Sequence, residues 1–314
     1  MLYNLRSKLL KASLGVFCAA LLAVTLLVPA APESARAGAG ELPFGQGLLW
    51  RVQRDGGPAS YVLGTIHSTD PRLRDLPPAI ERAIDESRLM AFELLDDSDG
   101  QARLARAMQL PPGRSLQDIL GEELFERVAD AVADFGVPPS GLQVLKPWAL
   151  SVFLVYPRIE VVRLAQGEPA FDTWLQAEAR RRGKAVSALE TYQEQIEVFD
   201  GMSEAEQIAM VTDMLSDYAD IEARFNRIFR AYLKGDLSVA MEEANDVSGV
   251  SDRAAAERFK ARLIDDRNRV MAARIVPLLR DGGAFVAVGA AHLPGEDGVL
   301  ARLESRGYTV SRVN

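Results

Sequence analysis

The chain contains only two histidines among its 314 residues, and each lies three positions after a glycine. The two motifs are Gly64-Thr65-Ile66-His67 and Gly289-Ala290-Ala291-His292. Each follows a short apolar run, which is typical of a buried strand that ends in a sharp turn, where glycine accepts positive φ values that other residues avoid. Open α/β sheets bind their ligands at such carboxyl ends. We therefore expect both imidazoles at one edge of one sheet.

A carboxylate near the two imidazoles would complete a metal-ligand set. Glu93 interrupts an otherwise apolar run over residues 88–95, and a buried carboxylate is costly unless it is paired or bound to a metal. Two histidines and one carboxylate form a recurrent site for Zn²⁺, Mn²⁺, Co²⁺ or Fe²⁺. Such an ion lowers the pKa of bound water and polarises a carbonyl, as amide or ester hydrolysis requires. The alternatives are packed or surface imidazoles and a salt-bridged or outward-facing Glu93.

Two further charged residues are weaker candidates. Glu190 follows a short strand pattern and would serve as a general base or as an outer partner of the site; a helix-capping or surface role is equally consistent with the sequence. Arg267 belongs to the charged helical stretch 265–269, whose default interpretation is a solvated helix face. The residue pattern alone gives Arg267 no special role.

The first forty residues carry a targeting signal. A basic segment at residues 6–11 precedes an apolar stretch from about residue 12 to 31, and Ala35-Arg36-Ala37 provides a small-x-small cleavage pattern. The pattern predicts a signal peptide over residues 1–37 and a periplasmic or extracellular protein. Since the stretch is nearly long enough to span a bilayer, an uncleaved amino-terminal anchor is the alternative.

Charge and cysteine content exclude other classes of protein. The formal net charge is −8, and removal of residues 1–37, which carry four basic and one acidic residue, leaves −11. An acidic chain without a basic patch is not expected to bind nucleic acid. The single cysteine, Cys18, lies in the signal segment, so the mature chain would use neither disulfides nor thiolate chemistry. The sequence specifies no oligomeric state.

Strand patterns lie near both ends of the mature chain. Residues 48–52 and 60–63 flank Asp55-Gly56-Gly57, a hairpin signal. A helix then opens at Pro77-Pro78, and the run at 88–95 follows as a third strand, which completes a βαβ unit and implies parallel pairing.

The carboxyl-terminal end supplies the remaining sheet elements. They are a strand at 284–288, the second histidine turn, a helix at 298–305 and a strand at 308–313.

The middle of the chain is mainly helical. Apolar residues recur at three- and four-residue steps, most clearly over residues 115–135, and breaks are expected near 201, 235 and 247–249. A short strand is possible at 185–190. We predict an α/β fold that leans toward α+β, with a small mixed sheet built from both chain ends and a large helical insertion walling a cleft. Residues 38–314 would then form a single domain.

Six short segments, in their order and spacing, resemble the TraB/GumN family, which includes the Tiki metalloproteases. They are Gly64-Thr65-Ile66-His67, Phe92-Glu93, Lys146-Pro147-Trp148, Leu189-Glu190-Thr191, Arg267-Asn268 and Val288-Gly289-Ala290-Ala291-His292-Leu293-x-Gly295. The resemblance runs from about residue 48 to 313. One Gly-x-x-His motif is a weak signal, whereas the ordered set is specific.

The resemblance implies which residues serve the site. The family pattern combines two Gly-x-x-His motifs with a glutamate and an arginine, which correspond to His67, His292, Glu93 and Arg267. Tiki proteins look like Mn²⁺- or Co²⁺-dependent proteases, TraB members are linked to the shutdown of peptide pheromones, and GumN is named for its place beside xanthan biosynthesis genes. This sequence departs from Tiki in having no carboxyl-terminal membrane anchor, so the metal site carries over more directly than the substrate.

These observations favour an exported, metal-dependent hydrolase, in particular a peptidase acting on a peptide or protein. His67, His292 and Glu93 are the expected ligands of a Mn, Co or Zn ion, and Glu93, Arg267 and Glu190 are the candidate catalytic residues. The alternative is a noncatalytic envelope protein that binds a peptide or polysaccharide fragment in the same cleft.

Overall fold

The structure of the protein is a computed structural model that describes residues 42–244 and 250–314. It shows a mixed α/β fold. One sheet is formed by the strands β1 (Leu49–Gln53), β2 (Ser60–Thr65), β3 (Leu89–Phe92), β4 (Ala185–Ala188), β5 (Ala284–Gly289) and β6 (Thr309–Arg312).

Helices make up most of the remaining chain. They are α1 (Pro78–Glu86), α2 (Ser98–Ala107), α3 (Leu116–Leu120), α4 (Glu122–Val132), α5 (Pro139–Leu142), α6 (Ser151–Leu154), α7 (Arg158–Ala165), α8 (Phe171–Arg181), α9 (Tyr192–Asp200), α10 (Glu204–Asp217), α11 (Ile221–Leu233), α12 (Leu237–Ala244), α13 (Arg253–Lys260), α14 (Arg267–Leu279) and α15 (Val299–Glu304). Short 3₁₀ turns include Pro71–Arg74, Ala133–Phe135, Pro147–Leu150, Tyr218–Asp220 and Ala290–His292. A π-helical segment, Ala261–Asp266, joins α13 to α14.

Some predictions concern residues beyond this description. The signal peptide at 1–37, with its cleavage site and Cys18, lies outside the described residues, as does the helix break at 247–249. Within 42–244 and 250–314, no helix is long and apolar enough to cross a membrane.

The strand order in the sheet is β4-β3-β5-β2-β1-β6. The strands from β4 to β2 pair in parallel, whereas β1 is antiparallel to both β2 and β6. Every residue of β5 is buried, as expected for a parallel strand covered on both faces. The predicted mixed sheet is confirmed, and the short strand considered at 185–190 joins it as the edge strand β4, from the middle of the chain.

The turn between β1 and β2 fits its sequence. Asp55 has φ 51° and Gly56 has φ 70°, so both central residues are left-handed, as in the type I′ turns that match the twist of a hairpin. The antiparallel register that follows pairs Val52 with Ser60 and Leu49 with Leu63. This hairpin brings the first histidine motif into the sheet.

The helical pattern predicted over residues 115–135 is divided in the structure. Gly121, with φ 78°, ends α3 and precedes α4, and a 3₁₀ turn follows at Ala133–Phe135. An L residue would be strained at that φ, and the break reorients the chain so that Leu116 and Val128 are both fully buried. The apolar spacing therefore predicted the helical structure correctly, while Gly121 within it marks the end of α3.

Buried apolar side chains form two clusters. The sheet cluster contains the strands and the inner faces of α1, α8, α11, α14 and α15. The helical cluster joins α2 to α7 with α9, α10, α13 and the π-helical segment. The boundary runs through the candidate site: Phe92 and Ala290 belong to the sheet cluster, and Leu94 and Ala291 to the helical cluster. Glu93 thus lies where the two clusters meet.

The Lys146-Pro147-Trp148 motif has a structural environment in the helical cluster. The Trp148 indole donates a hydrogen bond to Asp200 Oδ1 at 2.8 Å, and the Lys146 ammonium lies at the same distance from that oxygen. The buried Trp148 ring stacks on Phe199 with their centroids 5.1 Å apart. These contacts fix the turn before α6 against α9.

Candidate functional site

The two histidine turns are direct neighbours. β2 and β5 pair in parallel, with Gly64 opposite Val288 and Thr65 opposite Gly289. Parallel strands end at the same edge of a sheet, so both turns leave the sheet side by side at its carboxyl edge. His67 is 3% exposed and His292 is fully buried. The predicted convergence of two residues 225 positions apart is confirmed.

The reason for glycine in these motifs differs from the prediction. Neither glycine has a positive φ; Gly289, for example, has φ −51° and ψ 134°. A β-carbon at Gly64 would lie 2.8 Å from Leu293 Cδ1 and 3.1 Å from the α-carbon of Ala290. Glycine is therefore required at Gly64 because the second turn packs directly onto its backbone.

His67 is held through its Nδ1 atom. Asp172, in the first turn of α8, brings Oδ2 to 2.5 Å from this nitrogen, and Thr65 donates a short hydrogen bond to Asp172 Oδ1. The ring N–H does not point straight at Oδ2, but we assign Asp172 as the partner because the distance leaves no room for another group. Burial alone would lower the pKa of His67, yet the Asp172 carboxylate outweighs it and raises that pKa above 6.5.

His292 has a neutral partner. Its Nδ1 lies 2.7 Å from Asn268 Oδ1, at the start of α14. Burial lowers the pKa of His292 to about 3, and the positive charge of Arg267 acts in the same direction. In the metal-free protein the ring is therefore neutral at physiological pH.

The second ring nitrogens face a shared space beside Gly289. His67 Nε2 and His292 Nε2 are buried and have no hydrogen-bond partner among the described residues. A β-carbon at Gly289 would lie 3.1 Å from Glu93 Oε1, 3.5 Å from His292 Cδ2 and 3.8 Å from His67 Nε2. His292 Nε2 itself is 3.8 Å from Glu93 Oε1. The missing side chain of Gly289 thus leaves room between the three predicted ligand residues.

Glu93 and Glu190 share Arg267. The Arg267 Nη2 group donates to Glu93 Oε2 at 2.5 Å and to Glu190 Oε2 at 2.7 Å, while Nε donates to Glu190 Oε1 at 3.0 Å. All three residues are 6% exposed or less. The solvated-face interpretation of Arg267 and the surface interpretation of Glu190 were wrong, because helix α14 turns this end of its charged stretch toward the sheet edge.

The environment of Glu93 favours its ionised form. Burial would raise the pKa of this carboxyl, but the charge of Arg267, the two histidines and a hydrogen bond from the Gly289 N–H lower it to about 2. That N–H donates to Oε1 at 2.5 Å. The carboxylates also raise the pKa of Arg267 against the effect of burial. Glu93 and Arg267 therefore form a buried ion pair.

The buried charges do not balance. Asp172, Glu93 and Glu190 are three carboxylates, and Arg267 is one guanidinium, so their formal sum is −2 when both imidazoles are neutral. Buried charges in proteins are paired or bind metals. Within the described part of the chain, however, no three His, Cys, Asp or Glu side chains are arranged closely enough to hold an ion as they stand.

Arg267 follows directly on the π-helical segment Ala261–Asp266. Its Nη1 donates to the carbonyl of Leu263 within that segment at 3.2 Å. A π-turn adds a residue to the helix and changes the direction in which the following side chains point, and such turns are frequent at functional sites. Here it precedes two consecutive residues, Arg267 and Asn268, that both contact the site.

Two site residues were missed by sequence reasoning. Nothing in the sequence marks Asp172 as a site residue, since an acidic residue in the first turn of a helix is common for electrostatic reasons. Asn268 had a partial signal, because it is adjacent to Arg267 in a segment that carries the family resemblance. The amide of Asn268 also donates to the carbonyl of Asp297 at 3.1 Å.

Two openings lie beside the site. A groove of about 240 Å³ reaches Glu190 and Arg267 and is rimmed by Glu194, Glu197, Arg262 and Asp266. On the other side, a small apolar cavity of about 10 Å³ is lined by Ile66, Ala290 and Ala291 of the two turns together with Ile228, Tyr232 and Ala240.

A further groove, of about 90 Å³, lies between α10 and α13 and is lined by Met202, Met210 and Phe259. None of the histidine, glutamate or arginine residues described above lines it, so it does not belong to the candidate site.

Several metalloproteases are similar to this chain in sequence. Metalloprotease TIKI1 of Danio rerio is 27% identical over 311 residues, which cover 84% of this chain and 62% of that protein. Metalloprotease TIKI1 of Homo sapiens is 28% identical, with 84% and 61% covered, and metalloprotease TIKI2 of Xenopus tropicalis is 26% identical, with 84% and 59% covered. The matched region thus spans about three fifths of these relatives' length. No solved structure matches the chain.

The sequence pattern of one family extends over nearly all of the described residues. Residues 48–312 match it, a range that contains both histidine turns, Glu93, Glu190 and Arg267. The chain belongs to the TraB/PrgY/gumN family.

Proposed function

We propose that this protein is an exported, metal-dependent hydrolase that cleaves peptide bonds. One observation carries the proposal: the buried Nε2 atoms of His67 and His292 and the carboxylate of Glu93 surround the space beside Gly289, and neither nitrogen has a protein partner among the described residues. Two imidazole nitrogens and a carboxylate that converge in this way are typical of a divalent-cation site. The metalloprotease names of the relatives support the same chemistry.

The donor set suits a divalent ion. His67 Nε2, His292 Nε2 and Glu93 Oε1 would hold it, and imidazole with carboxylate suits Mn²⁺, Co²⁺ or Zn²⁺. A charge of +2 would also offset the negative charge of the surrounding carboxylates. When bound, such an ion lowers the pKa of water and polarises a carbonyl.

The protein's own groups would position the reaction. As the alternative to its ligand role, the Glu93 carboxylate is the candidate base that accepts a proton from the attacking water, and its ionised form is favoured by Arg267. Arg267 makes hydrogen bonds to Glu93, Glu190 and the carbonyl of Leu263. These contacts support a role for Arg267 in holding Glu93, while Glu190 fixes the guanidinium from the other side.

Four variants assayed together test the proposal. His67→Ala and His292→Ala should each lose metal and hydrolysis together, because either change leaves too few ligands. Glu93→Gln should retain metal and lose turnover by about 10²- to 10⁴-fold if Glu93 is the base, whereas loss of metal would make it a ligand. Arg267→Lys should retain metal and lose turnover, since lysine cannot contact both glutamates as the planar guanidinium does.

Metal content by elemental analysis and cleavage of a peptide library with Mn²⁺, Co²⁺ or Zn²⁺ are the two measurements. Thr173→Ala, a change in α8 outside the described contacts of the site, serves as the control. Unchanged hydrolysis in both histidine variants would end the hydrolase proposal, and unchanged metal content in both would end the ligand assignment.

A noncatalytic protein that binds a peptide or polysaccharide fragment is the second candidate. The observation that favours it is burial: His292 is fully buried and Glu93 is 4% exposed, so substrate access to them is restricted. Metal binding without cleavage of any library peptide, together with retention of one peptide or glycan, would support this function.

The groove beside the site favours a peptide. The groove at Glu190 and Arg267 offers charged groups for a polar peptide backbone. The apolar cavity next to Ile66 and Ala291 has a volume of only about 10 Å³, which is too small for an amino-acid side chain. We therefore propose that a peptide substrate lies in the groove at Glu190 and Arg267.

Export and domain organisation belong to the same proposal. Cleavage after Ala37 predicts a mature chain of residues 38–314, which an intact-mass measurement of the protein from its native compartment checks; a chain that starts at Met1 and needs detergent would favour the anchor. Residues 38–314 should also unfold as one unit. Release of a stable helical fragment by limited proteolysis would contradict a single domain.

A further inference from the structure

Each histidine ring of the site is fixed by an oxygen at the nitrogen that faces away from Glu93. For His67 this oxygen belongs to Asp172, at 2.5 Å from Nδ1, and for His292 it belongs to Asn268, at 2.7 Å from Nδ1. Asp172 and Asn268 come from different helices, α8 and α14, and approach the sheet edge separately. In both rings Nε2 has no hydrogen-bond partner in the described part of the chain, whereas His67 Nδ1 is paired with Asp172 by its short distance alone.

The orientation of Asn268 determines the tautomer of His292. Its amide nitrogen donates to the carbonyl oxygen of Asp297 at 3.1 Å, which requires the amide oxygen to face His292. An amide oxygen can only accept a hydrogen bond. His292 must therefore carry its proton on Nδ1, which leaves a lone pair on Nε2.

Asp172 acts on His67 in the same way but adds a charge. Thr65 donates a hydrogen bond to Asp172 Oδ1, and this leaves Oδ2 for His67 Nδ1. A carboxylate accepts the Nδ1 proton more strongly than an amide and makes Nε2 the better electron donor. The two rings are thus oriented alike and are electronically unequal.

We propose that Asp172 and Asn268 are positioning residues: each keeps the proton of its histidine on Nδ1, so that Nε2 is unprotonated and faces Glu93. The negative charge of Asp172 also makes His67 the stronger metal ligand of the two. The inference rests on the proposed function for its metal-binding consequence. The tautomers themselves belong to the metal-free protein and require no ion.

The presence of only two histidines makes the first test direct. In the full-length or processed protein labelled with ¹⁵N-histidine and freed of metal by chelation, the spectrum contains four ring-nitrogen signals. Protonated and unprotonated ring nitrogens differ strongly in chemical shift. At pH 7.5 we expect His292 to show a protonated Nδ1 and an unprotonated Nε2, and a spectrum of the Nε2–H tautomer at His292 would overturn the proposal.

Matched substitutions separate positioning from packing. Asn268→Leu and Asp172→Leu keep the approximate side-chain shape and remove the acceptor, so each should change the ring signals of its own histidine only. Asn268→Asp retains an acceptor and should restore the Nδ1–H tautomer at His292. Glu160→Gln is the control, because Glu160 is a buried carboxylate that hydrogen bonds to Ser68 and Thr69 but to neither histidine.

Metal affinity provides the second readout. Measured by calorimetry with Mn²⁺, Co²⁺ and Zn²⁺ separately, Asp172→Asn and Asn268→Leu should each weaken binding by about 10- to 100-fold, and Asp172→Asn should have the larger effect. Glu160→Gln should change the affinity by less than about threefold. If a Leu variant does not fold, the wild-type spectrum and the Asp172→Asn and Asn268→Asp variants still decide the result.

The outcomes distinguish the two proposals. Correct tautomers without binding of any of the three ions would contradict the proposed metal site while leaving the positioning roles intact. Tight metal binding with ring signals that do not respond to either substitution would overturn the positioning roles and leave the proposed function standing. Equal losses of metal affinity in Asp172→Asn and Asn268→Leu would overturn the claim that His67 is the stronger ligand.

Discussion

The two histidine turns share a sequence pattern but differ in how the structure uses it. At the first turn, Gly64 is packed under Ala290 and Leu293, and His67 faces the carboxylate of Asp172. At the second, Gly289 leaves space beside Glu93, and His292 faces an amide. The first glycine thus serves the packing of the two turns, and the second serves the site itself.

This difference shows that a repeated motif need not have one physical cause. Both glycines follow a buried strand and both lack a positive φ, so the backbone conformation does not explain them. Both Gly64 and Gly289 exclude a β-carbon because other atoms lie close to the place it would occupy, and these atoms differ between the two positions. Substitutions that are identical in chemistry should therefore have different effects at the two turns.

The largest expected difference is between Gly289→Ala and Gly64→Ala. At Gly289 the added methyl would lie 3.1 Å from Glu93 Oε1 and 3.8 Å from His67 Nε2, so we expect metal affinity to fall by about 100-fold or more. At Gly64 the methyl would lie 2.8 Å from Leu293 Cδ1, and overpacking should cost about 1–3 kcal/mol of unfolding free energy.

Calorimetric metal titration and urea unfolding of both variants measure these effects. Gly141→Ala, at a glycine without a positive φ whose added carbon would meet nothing closer than 3.6 Å, is the matched control. Equal losses of metal affinity in Gly64→Ala and Gly289→Ala would remove the proposed distinction between the turns.

The two histidines should also affect acid stability with opposite signs. The folded pKa of His292 is about 3, below its ordinary 6.5, so the unfolded chain takes up a proton that the folded chain does not. The contribution of His292 to the free energy of unfolding is fully present above pH 6.5. It is lost as the pH falls toward 3, by up to about 1.4 kcal/mol per pH unit. His67 has a raised pKa, so its stabilisation is present below pH 6.5 and is lost as pH rises through the folded value.

Urea unfolding of the metal-free protein between pH 4 and 8 tests this contrast. His292→Gln should flatten the loss of stability below pH 6.5, whereas His67→Gln should leave that loss unchanged and remove a decline of stability above pH 6.5. Glu93 contributes in the same direction as His292, because its folded pKa of about 2 makes stability fall from pH 4.5 downward. Parallel pH profiles for the two histidine variants would contradict the assignment of their environments.

The smallest expected effect concerns a support of the first turn. Tyr232, in α11, donates a buried hydrogen bond to the carbonyl of Gly64 at 2.9 Å. Tyr232→Phe should lower the free energy of unfolding by about 1 kcal/mol and leave metal affinity within about twofold. Tyr61→Phe is the matched control, since the Tyr61 hydroxyl bonds to the exposed Glu86 and its loss should change stability little. A large loss of metal in Tyr232→Phe would show that the hydroxyl orders the site.

Strand positions and the meeting of the histidines could be predicted because they depend on local patterns. The β-branched runs, the Asp55-Gly56 turn and the equal glycine-to-histidine spacing are all readable from neighbouring residues. Parallel pairing of β2 with β5 then follows from the way α/β sheets gather their carboxyl ends. The mixed sheet and the helical middle were predicted on this basis.

The partners of the site could not be predicted because they depend on distant helices. Asp172 reaches His67 only through the docking of α8, and Arg267 is buried only through the direction that α14 takes after its π-helical segment. A charged run such as 265–269 contains no local sign of which residue turns inward. Sequence reasoning therefore named the ligand candidates together with Arg267 and Glu190, and missed Asp172 and Asn268, which hold the two histidines.

The pairing of β2 with β5 determines when the site can form during synthesis of the chain. His67 and Glu93 leave the ribosome early, but the strand that separates β2 from β3 is β5, which begins at Ala284. At synthesis rates of about 5–20 residues per second, the second histidine follows the first by on the order of ten seconds or more. A nascent or truncated chain that ends before β5 has one imidazole and no completed sheet edge. Any activity of this site is therefore withheld until nearly the whole polypeptide has been made.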